Sequence, residues 1–248
     1  MLIYLSRTIA SIHQPNLFPR LKVLQKIFHS DIYICYDDVQ FVRNDWQNRT
    51  LLRNIKDLQL FWAVVPVHKP FGQKSKINEV TIIEPNKTTE TLRKQLSNAY
   101  GSSKYWKEIQ EYISPVIQSA CSSNLLSDFL FISLHRLIAL LCPKVKIIRS
   151  SEINQYHTAD RNMHLVELCY FVNANAYICG SGGLNYIDQS VFNSHGITLI
   201  IQNWNEKRIK EKYNDIFWRN ICFIDFWARY GLHELKEYLG GSLNETGD

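Results

Sequence analysis

The stretch IHQPNLFP, residues 12–19, joins two segments of different periodicity and decides how the chain begins to fold. Residues 8–12, the last of which begins this stretch, are mostly apolar or β-branched and predict a buried strand. Residues 20–28, after it, have the apolar spacing of a helix. Pro19 suits the first turn of that helix, and both prolines fix φ. The stretch therefore predicts a strand and a helix joined by a rigid connection.

Alternating strands and helices at both ends of the chain set the predicted fold class. Further strands are predicted at residues 32–36, 59–67, 77–83, 145–149, 176–179 and 197–202. Further helices are predicted at residues 88–99 with a cap at Asn86, 105–118 with an interruption at Pro115, 127–141, 159–172 and 223–239. This spacing favours right-handed crossovers and an α/β fold, a mostly parallel sheet between two helical layers. We expect one domain over residues 1–248, with a helical insertion at about 86–142.

The composition narrows the function classes. Of 248 residues, 46% are hydrophobic and 21% are charged, which is typical of a soluble globular protein. No apolar run reaches the roughly 20 residues of a membrane helix, and no secretory signal is apparent at the N-terminus. Six cysteines without a C-x-x-C pair predict a reducing compartment, and hence the cytoplasm. The net charge of +5 is spread along the chain and fits phosphate-bearing small molecules as well as nucleic acid.

The first connection offers three polar side chains, His13, Gln14 and Asn16. In one interpretation the turn is only stiff, and a backbone carbonyl satisfies the histidine. In the other, the helix N-terminus forms an anion site with these side chains beside it.

A second polar segment, YDDVQFVRNDWQNR at residues 36–49, also follows a predicted strand. Asp37 is a candidate general base, and Arg49 can bind a carboxylate or phosphate through two hydrogen bonds. Gln40 and Asn48 can supply further donors. The alternative is a solvated loop with Trp46 as a lid over the core.

A third segment, GSGGLNY at residues 180–186, follows another strand. Ser181, Gly182 and Gly183 allow a close backbone approach that can hold an oxyanion, with Tyr186 beside them. A plain turn explains the glycines nearly as well. Because carboxyl ends of parallel strands share one edge, the three segments predict a common site there.

Other polar residues favour structural roles. His135 and His164 lie on predicted helices among apolar neighbours. Asp225, between large apolar residues, predicts an ion pair with an arginine. The sequence contains no HExxH or GxSxG motif and no pattern of metal ligands, so we expect no metal.

Several short motifs occur in an order that resembles the WbqC-like family of bacterial proteins over nearly the whole length. They are HQP-x-x-FP (13–19), D-x-VQ-F (37–41), QNR (47–49), VPV (65–67), INEV (77–80), YWKE (105–108), SSE (150–152), SGG-x-x-Y (181–186), HGI (195–197) and FIDF (223–226). The charged segment at residues 206–212, Glu206 to Lys212, replaces a stretch that is often rich in tyrosine and histidine in the family.

The resemblance implies work on sugar nucleotides or amino sugars, because members are typically encoded beside surface-polysaccharide and O-antigen genes. The opening strand, histidine turn and helix are also distantly similar to nucleotidylyltransferases, in which an H-x-x-H motif binds ATP phosphates. Here the second position of that motif is Asn16. ATP or another activated donor is therefore the cofactor that the resemblance suggests.

Two functions of different class remain after the sequence analysis. The first is an enzyme that forms an amide on a sugar-linked amine, with His13, Asp37 and Arg49 as catalytic residues. The second is a non-catalytic module that binds a sugar nucleotide or a partner enzyme of a glycan pathway through exposed aromatic residues. The candidates for that surface are Trp46, Trp62, Trp106 and Trp204. Nucleic-acid binding is a third hypothesis that rests only on charge and scattered aromatics.

Overall fold

The structure is a computed structural model, and it describes residues 7–153, 158–204, 207–214, 222–241 and 243. The strands are β1 (Ile9–His13), β2 (Ile32–Cys35), β3 (Arg49–Arg53), β4 (Leu60–Val64), β5 (Val67–His68), β6 (Thr81–Ile82), β7 (Lys146–Arg149), β8 (Ala176–Gly180) and β9 (Thr198–Gln202). The helices are α1 (Leu21–Phe28), α2 (Pro85–Tyr100), α3 (Trp106–Ser122), α4 (Leu126–Leu141), α5 (Arg161–Phe171), α6 (Gln189–Ser194), α7 (Lys207–Tyr213), α8 (Phe223–Tyr230) and α9 (Leu232–Leu239). Glu206 of the charged segment lies outside the described residues.

Five parallel strands form the central sheet in the order β7-β2-β1-β8-β9. β1 lies in the middle, and Ala10, Ser11 and Ile12 are buried, as expected for a parallel strand covered on both faces. The pairs β3–β4 and β5–β6 form separate antiparallel ribbons. The predicted α/β fold with a mostly parallel sheet is confirmed.

Helices cover the two faces of the sheet because neighbouring strand residues point to opposite sides. Tyr33 and Cys35 pack in one apolar cluster with α1, α2, α3, α4, α8 and α9. Ile34, between them, packs in a second cluster with α5 and α6. The sheet is therefore the middle of three layers, as predicted.

Helix α1 is buried on more than one side. Leu21, Leu24 and Ile27 recur at helical spacing and are at most 3% exposed. The helix contacts β1 and β8 on one side and α4 and α9 on another. As a result Gln25 and Lys26 are also buried, at 4% and 6% exposed.

Two helices differ from the sequence prediction at one end or in the middle. Helix α2 begins at Pro85 and not after a cap at Asn86, because Glu84 turns the chain with a φ of 42°. Helix α3 continues through Pro115, so the predicted interruption is wrong. Pro115 and the residue four positions before it, Glu111, are both exposed, and water can satisfy the carbonyl that loses its amide partner.

The predicted helix at 223–239 is two helices, α8 and α9, separated by Gly231 at a φ of 92°. The predicted strand at 77–83 is a 3-10 turn, Ile77–Glu79, followed by the short β6. Strand β3 and the short helices α6 and α7 were not predicted, because none is long enough to show a clear period.

Candidate functional site at the carboxyl edge of the sheet

The strand order places the three predicted segments side by side. All five strands are parallel, so their carboxyl ends lie at one edge, and β1 lies between β2 and β8. The connections that start at His13, Asp37 and Ser181 are therefore neighbours along that edge. The chain leaves β1 toward β2 on one side and later adds β8 on the other. In open parallel sheets the crevice at such a reversal of strand order is where ligands bind.

His13 is the last residue of β1, and its imidazole is fixed in one tautomer. Nδ1 lies 2.7 Å from the carbonyl oxygen of Gln14, which can only accept, so Nδ1 carries the proton and Nε2 the lone pair. Burial, and then the charge of Lys26, lower the pKa of His13 to about 3, and Arg20 and Lys22 act in the same direction. The residue is therefore neutral at pH 7, and its free nitrogen is an acceptor.

Gln14 links the first connection to the segment after β2. Its Oε1 accepts a hydrogen bond of 2.8 Å from Nε2 of Gln47, which is fully buried. The Oε1 of Gln47 accepts in turn from the backbone N–H of Val42 at 2.9 Å. The N–H of Leu17 donates to the carbonyl of Trp46 at 2.8 Å. Two of the predicted segments are thus hydrogen-bonded to each other.

Asn16 is 4% exposed, and its Oδ1 has no hydrogen-bond partner within the described part of the chain. Buried amide oxygens are normally paired, so an orphan of this kind needs an explanation. It lies in the same connection as His13, between two buried prolines. A donor on a ligand in the crevice would satisfy it.

Asp37 is fully buried and faces the residues after β7, which lie on the side of β2 away from β1. Its Oδ1 accepts from the N–H of Ser151 at 3.1 Å, and its Oδ2 from the hydroxyl of Ser151 at 3.0 Å. Burial raises its pKa, partly offset by these bonds and by Arg149. The hydroxyl of Ser150 contacts both Asp37 and Asp38. Adjacent carboxylates thus converge on one group, although in an extended chain they would point apart.

Arg49 is the first residue of β3 and therefore belongs to the antiparallel ribbon of β3 and β4. Its Nη2 donates to the carbonyl of Asn44, and its guanidinium stacks over the ring of Trp62 at 4.2 Å. Trp46 packs against Trp62 with 5.2 Å between ring centroids. The Nε of Arg49 is buried without a partner among the described residues, so one donor remains available to a ligand.

Gln40 and Asn48 are held by backbone carbonyls of neighbouring loops. The amide of Gln40 donates to the carbonyl of Gln73 at 2.6 Å, and that of Asn48 to the carbonyl of Val65 at 2.9 Å. The structure therefore ties both to the ribbons and not to the ends of β1 and β8.

The glycine segment forms a 3-10 turn at the end of β8. Ser181 and Gly182 are exposed at the edge. Gly183 is buried, and a Cβ there would lie 2.4 Å from Sγ of Cys179, so only glycine fits. Tyr186 is 51% exposed beyond the turn. Ser181 and Gly182 are therefore the exposed residues that directly follow the end of β8.

Lys26 is a site residue that the sequence analysis missed. Its Nζ lies 3.6 Å from the position that a Cβ on Gly180 would occupy, at the end of β8. Gln202, at the end of β9, is anchored beside it by hydrogen bonds from its Nε2 to the carbonyl of Lys22 and to Oε1 of Gln25. The available signal was that a crossover helix between a sheet and other helices buries even its polar residues.

A second concavity lies among the helices and includes no strand end. Its volume is 350 Å³, and it is lined by Glu108, Glu111, Tyr112, Arg136, Leu140, Trp227 and Leu232. Trp227 Nε1 donates to Glu108 at 3.3 Å at its rim.

Two further findings concern the described residues alone. No group of three or more His, Cys, Asp or Glu side chains among them is placed to hold a metal ion. None of the helices among them combines the length and apolar character needed to cross a bilayer.

The fold and the site define an α/β protein with polar side chains gathered at the carboxyl edge of a parallel sheet. The chain belongs to the WbqC-like protein family, whose sequence model matches residues 14–237. This confirms the family that the motifs resemble. The chain is also similar to a Mycobacterium tuberculosis (strain ATCC 25618 / H37Rv) protein named "Uncharacterized protein Rv1507c", with 28% identity over 231 residues, 92% of this chain and 96% of that protein. No solved structure matches the chain significantly.

Proposed function

We propose that this protein transfers an acyl or aminoacyl group from an activated donor to an amine on a sugar, in the modification of bacterial surface glycans or amino sugars. The observation that carries the proposal is a neutral imidazole, His13, beside the cation of Lys26 at the reversal of strand order. Amide formation from an anionic donor needs both a proton acceptor and a positive charge.

In the proposed step the amine nitrogen attacks the acyl carbon, the new C–N bond forms, and the bond from that carbon to the leaving group breaks. The amine loses a proton, which Nε2 of His13 accepts. A base with a pKa near 3 is weak, but an anionic donor offsets the cations around His13 and raises its pKa toward the working pH. Binding of the donor would thus make His13 a stronger base.

The remaining predicted residues have supporting roles in this proposal. Asp37 fixes the end of β2 through Ser151, and Arg49 uses its unpaired Nε to bind a carboxylate or phosphate. In this proposal Gln14, Asn16, Ser181, Gly182 and Tyr186 complete the binding surface, whereas Gly183 shapes the turn and Gln40 and Asn48 support the neighbouring loops. ATP is one co-substrate that would activate the donor: a carboxylate and ATP would give an acyl adenylate and pyrophosphate, and AMP would then leave as the amide forms. The acceptor is a sugar nucleotide or an amino sugar. We place the reaction in the cytoplasm, which suits the free cysteines and nucleotide donors.

The experiment compares His13→Asn, Asp37→Asn and Arg49→Ala with wild type in a reconstituted glycan pathway. Asparagine keeps a donor to the carbonyl of Gln14 but supplies no base. We expect product formation by His13→Asn to fall by roughly 10²-fold or more. Arg93→Ala, on the exposed face of α2, is the control. Full activity in all three site variants would place the chemistry elsewhere.

The second candidate is a non-catalytic module that binds a sugar nucleotide or a partner enzyme of the pathway. The observation that favours it is the aromatic pair Trp46 and Trp62, of which Trp62 is 40% exposed. Stabilisation by sugar nucleotides in a thermal shift assay, without turnover of any donor tested, would favour this module over the enzyme.

A further inference from the structure

Lys26 is a buried cation without a counter-charge in the described structure. The residue is 6% exposed, and no oxygen of the described residues accepts a hydrogen bond from its ammonium. The described groups that act on its charge are Cys179, Lys22 and Arg20. Burial raises the pKa of the Cys179 thiol, so this group is neutral at pH 7 and cannot balance the lysine. A buried ammonium in such surroundings is costly unless a ligand compensates it.

The ammonium lies at the crevice and not deep under the sheet. Side chains on a helix point toward its N-terminus, so Lys26 reaches back from the last turn of α1 toward the carboxyl edge. Its Nζ lies next to Gly180 at the end of β8, and its charge acts on His13 at the end of β1. It therefore lies between the two strands at which the strand order reverses.

A second buried group in the same connection is also unsatisfied. The Oδ1 of Asn16, 4% exposed, lacks a partner among the described residues. A cation and an amide oxygen without partners in the described structure would both be satisfied by a ligand that carries a negative charge and a hydroxyl donor.

We propose that Lys26 binds a phosphate group in the crevice between β1 and β8. Phosphate fits better than a carboxylate, because Lys22 and Arg20 add to the positive potential and a dianion offsets more of it. Only the identification of this phosphate with the donor's leaving group rests on the proposed function; anion binding itself does not.

The test measures binding of inorganic pyrophosphate by calorimetry, and the thermal midpoint of the ligand-free protein, in three proteins. They are wild type, Lys26→Met and the control Lys87→Met, whose lysine side chain is 75% exposed on α2. We expect Lys26→Met to bind pyrophosphate roughly tenfold or more weakly than wild type. We also expect it to have the higher midpoint without ligand, because methionine keeps the apolar stem and removes the buried charge. The control should match wild type in both.

Four results would overturn the inference. They are no pyrophosphate binding by wild type, unchanged binding by Lys26→Met, a lower midpoint or failure to fold in Lys26→Met, and wild-type binding of glycine or acetate in place of pyrophosphate. If folded Lys26→Met loses pyrophosphate binding and wild type transfers no acyl group, the phosphate site is supported and the proposed function is wrong. Transfer by Lys26→Met with the wild-type KM for the donor would show that Lys26 does not bind the donor, and the proposed function would then rest on His13 alone.

Discussion

His13 and Lys26 are two titratable groups whose charges are set by the same surroundings. Burial is the largest cause for both, and it brings the pKa of His13 to about 3 and that of Lys26 to about 8. At pH 7 the pair therefore consists of one neutral base and one cation. An anion that enters the crevice offsets the charge of Lys26 and raises both pKa values. The pair thus couples ligand binding to the basicity of the imidazole.

The low pKa of His13 predicts a specific acid sensitivity. The unfolded chain takes up a proton at the ordinary value of 6.5, and the folded protein only near 3. The stabilising contribution is complete above pH 6.5 and is lost as the pH falls toward 3. Between pH 7 and pH 5 we expect wild type to lose roughly 1–2 kcal/mol more than His13→Asn, measured by urea denaturation. Equal losses in the two proteins would contradict the shifted pKa.

Asp225 is also a buried charge, but unlike Lys26 it has ion-pair partners among the described residues. Nη2 of Arg53 lies 2.7 Å from Oδ2 of Asp225, and both side chains are at most 4% exposed. Arg229 adds a second contact at 3.3 Å. The structural ion pair predicted for this aspartate is confirmed.

We expect Asp225→Asn to destabilise the protein by roughly 3–5 kcal/mol, because it removes the buried negative charge that both Arg53 and Arg229 contact. Glu90→Gln is the matched control: it breaks an exposed ion pair with Arg93 and should lower the free energy of unfolding far less than Asp225→Asn does. Urea denaturation measures both. Similar losses of stability in the two variants would show that burial does not increase the contribution of the ion pair.

At the scale of elements, the junction of α8 and α9 depends on one glycine. Gly231 has a φ of 92°, and a Cβ there would lie 2.7 Å from a ring carbon of Tyr105. The apolar period of residues 223–239 continues across this point, which is why the sequence predicts one helix. At the break, Gly231 packs against Tyr105, a residue distant in the sequence. Local sequence patterns do not predict that contact.

Replacement of this glycine tests the junction. We expect Gly231→Ala to lower the free energy of unfolding by roughly 2–4 kcal/mol, from backbone strain and overlap with Tyr105. Gly182→Ala is the control, because nothing lies within 4 Å of its Cβ position and its φ is not positive. Chemical denaturation of both variants gives the comparison. A loss in Gly231→Ala no larger than in the control would mean that the junction relaxes freely.

At the scale of the molecule, the sequence predicts the layers of the fold but not the order of the strands. Periodicity and rigid turns identify β1, β2, β8 and their crossover helices, and parallel pairing then brings His13 and the glycine turn to one edge. It does not show that Asp37 faces Ser151, on the side away from β8, or that Arg49 stacks on Trp62. Lys26 is hidden for a similar reason: a helical lysine is ordinarily solvated, and this one comes next to Gly180 only because α1 packs on β8.

The carboxyl edge of the sheet and the 350 Å³ pocket among the helices differ in their chemistry. The helical pocket is lined by two glutamates, Glu108 and Glu111, beside one arginine, Arg136, which does not favour an anion. The crevice has Lys26 and a neutral His13. These charges favour the crevice over the helical pocket as the binding site of an anionic ligand.

Amide hydrogen exchange with and without pyrophosphate separates the two. We expect protection of the backbone amides in residues 14–18 and 181–183 by about tenfold when the site is mostly occupied, because a ligand held there slows local opening. Amides of α3 and α4 that border the helical pocket should exchange at the same rate in both conditions. Lys26→Met should abolish the protection at the sheet edge, whereas Lys87→Met should keep it. Protection confined to α3 and α4 would move the ligand to the helical pocket and leave the buried lysine without a role.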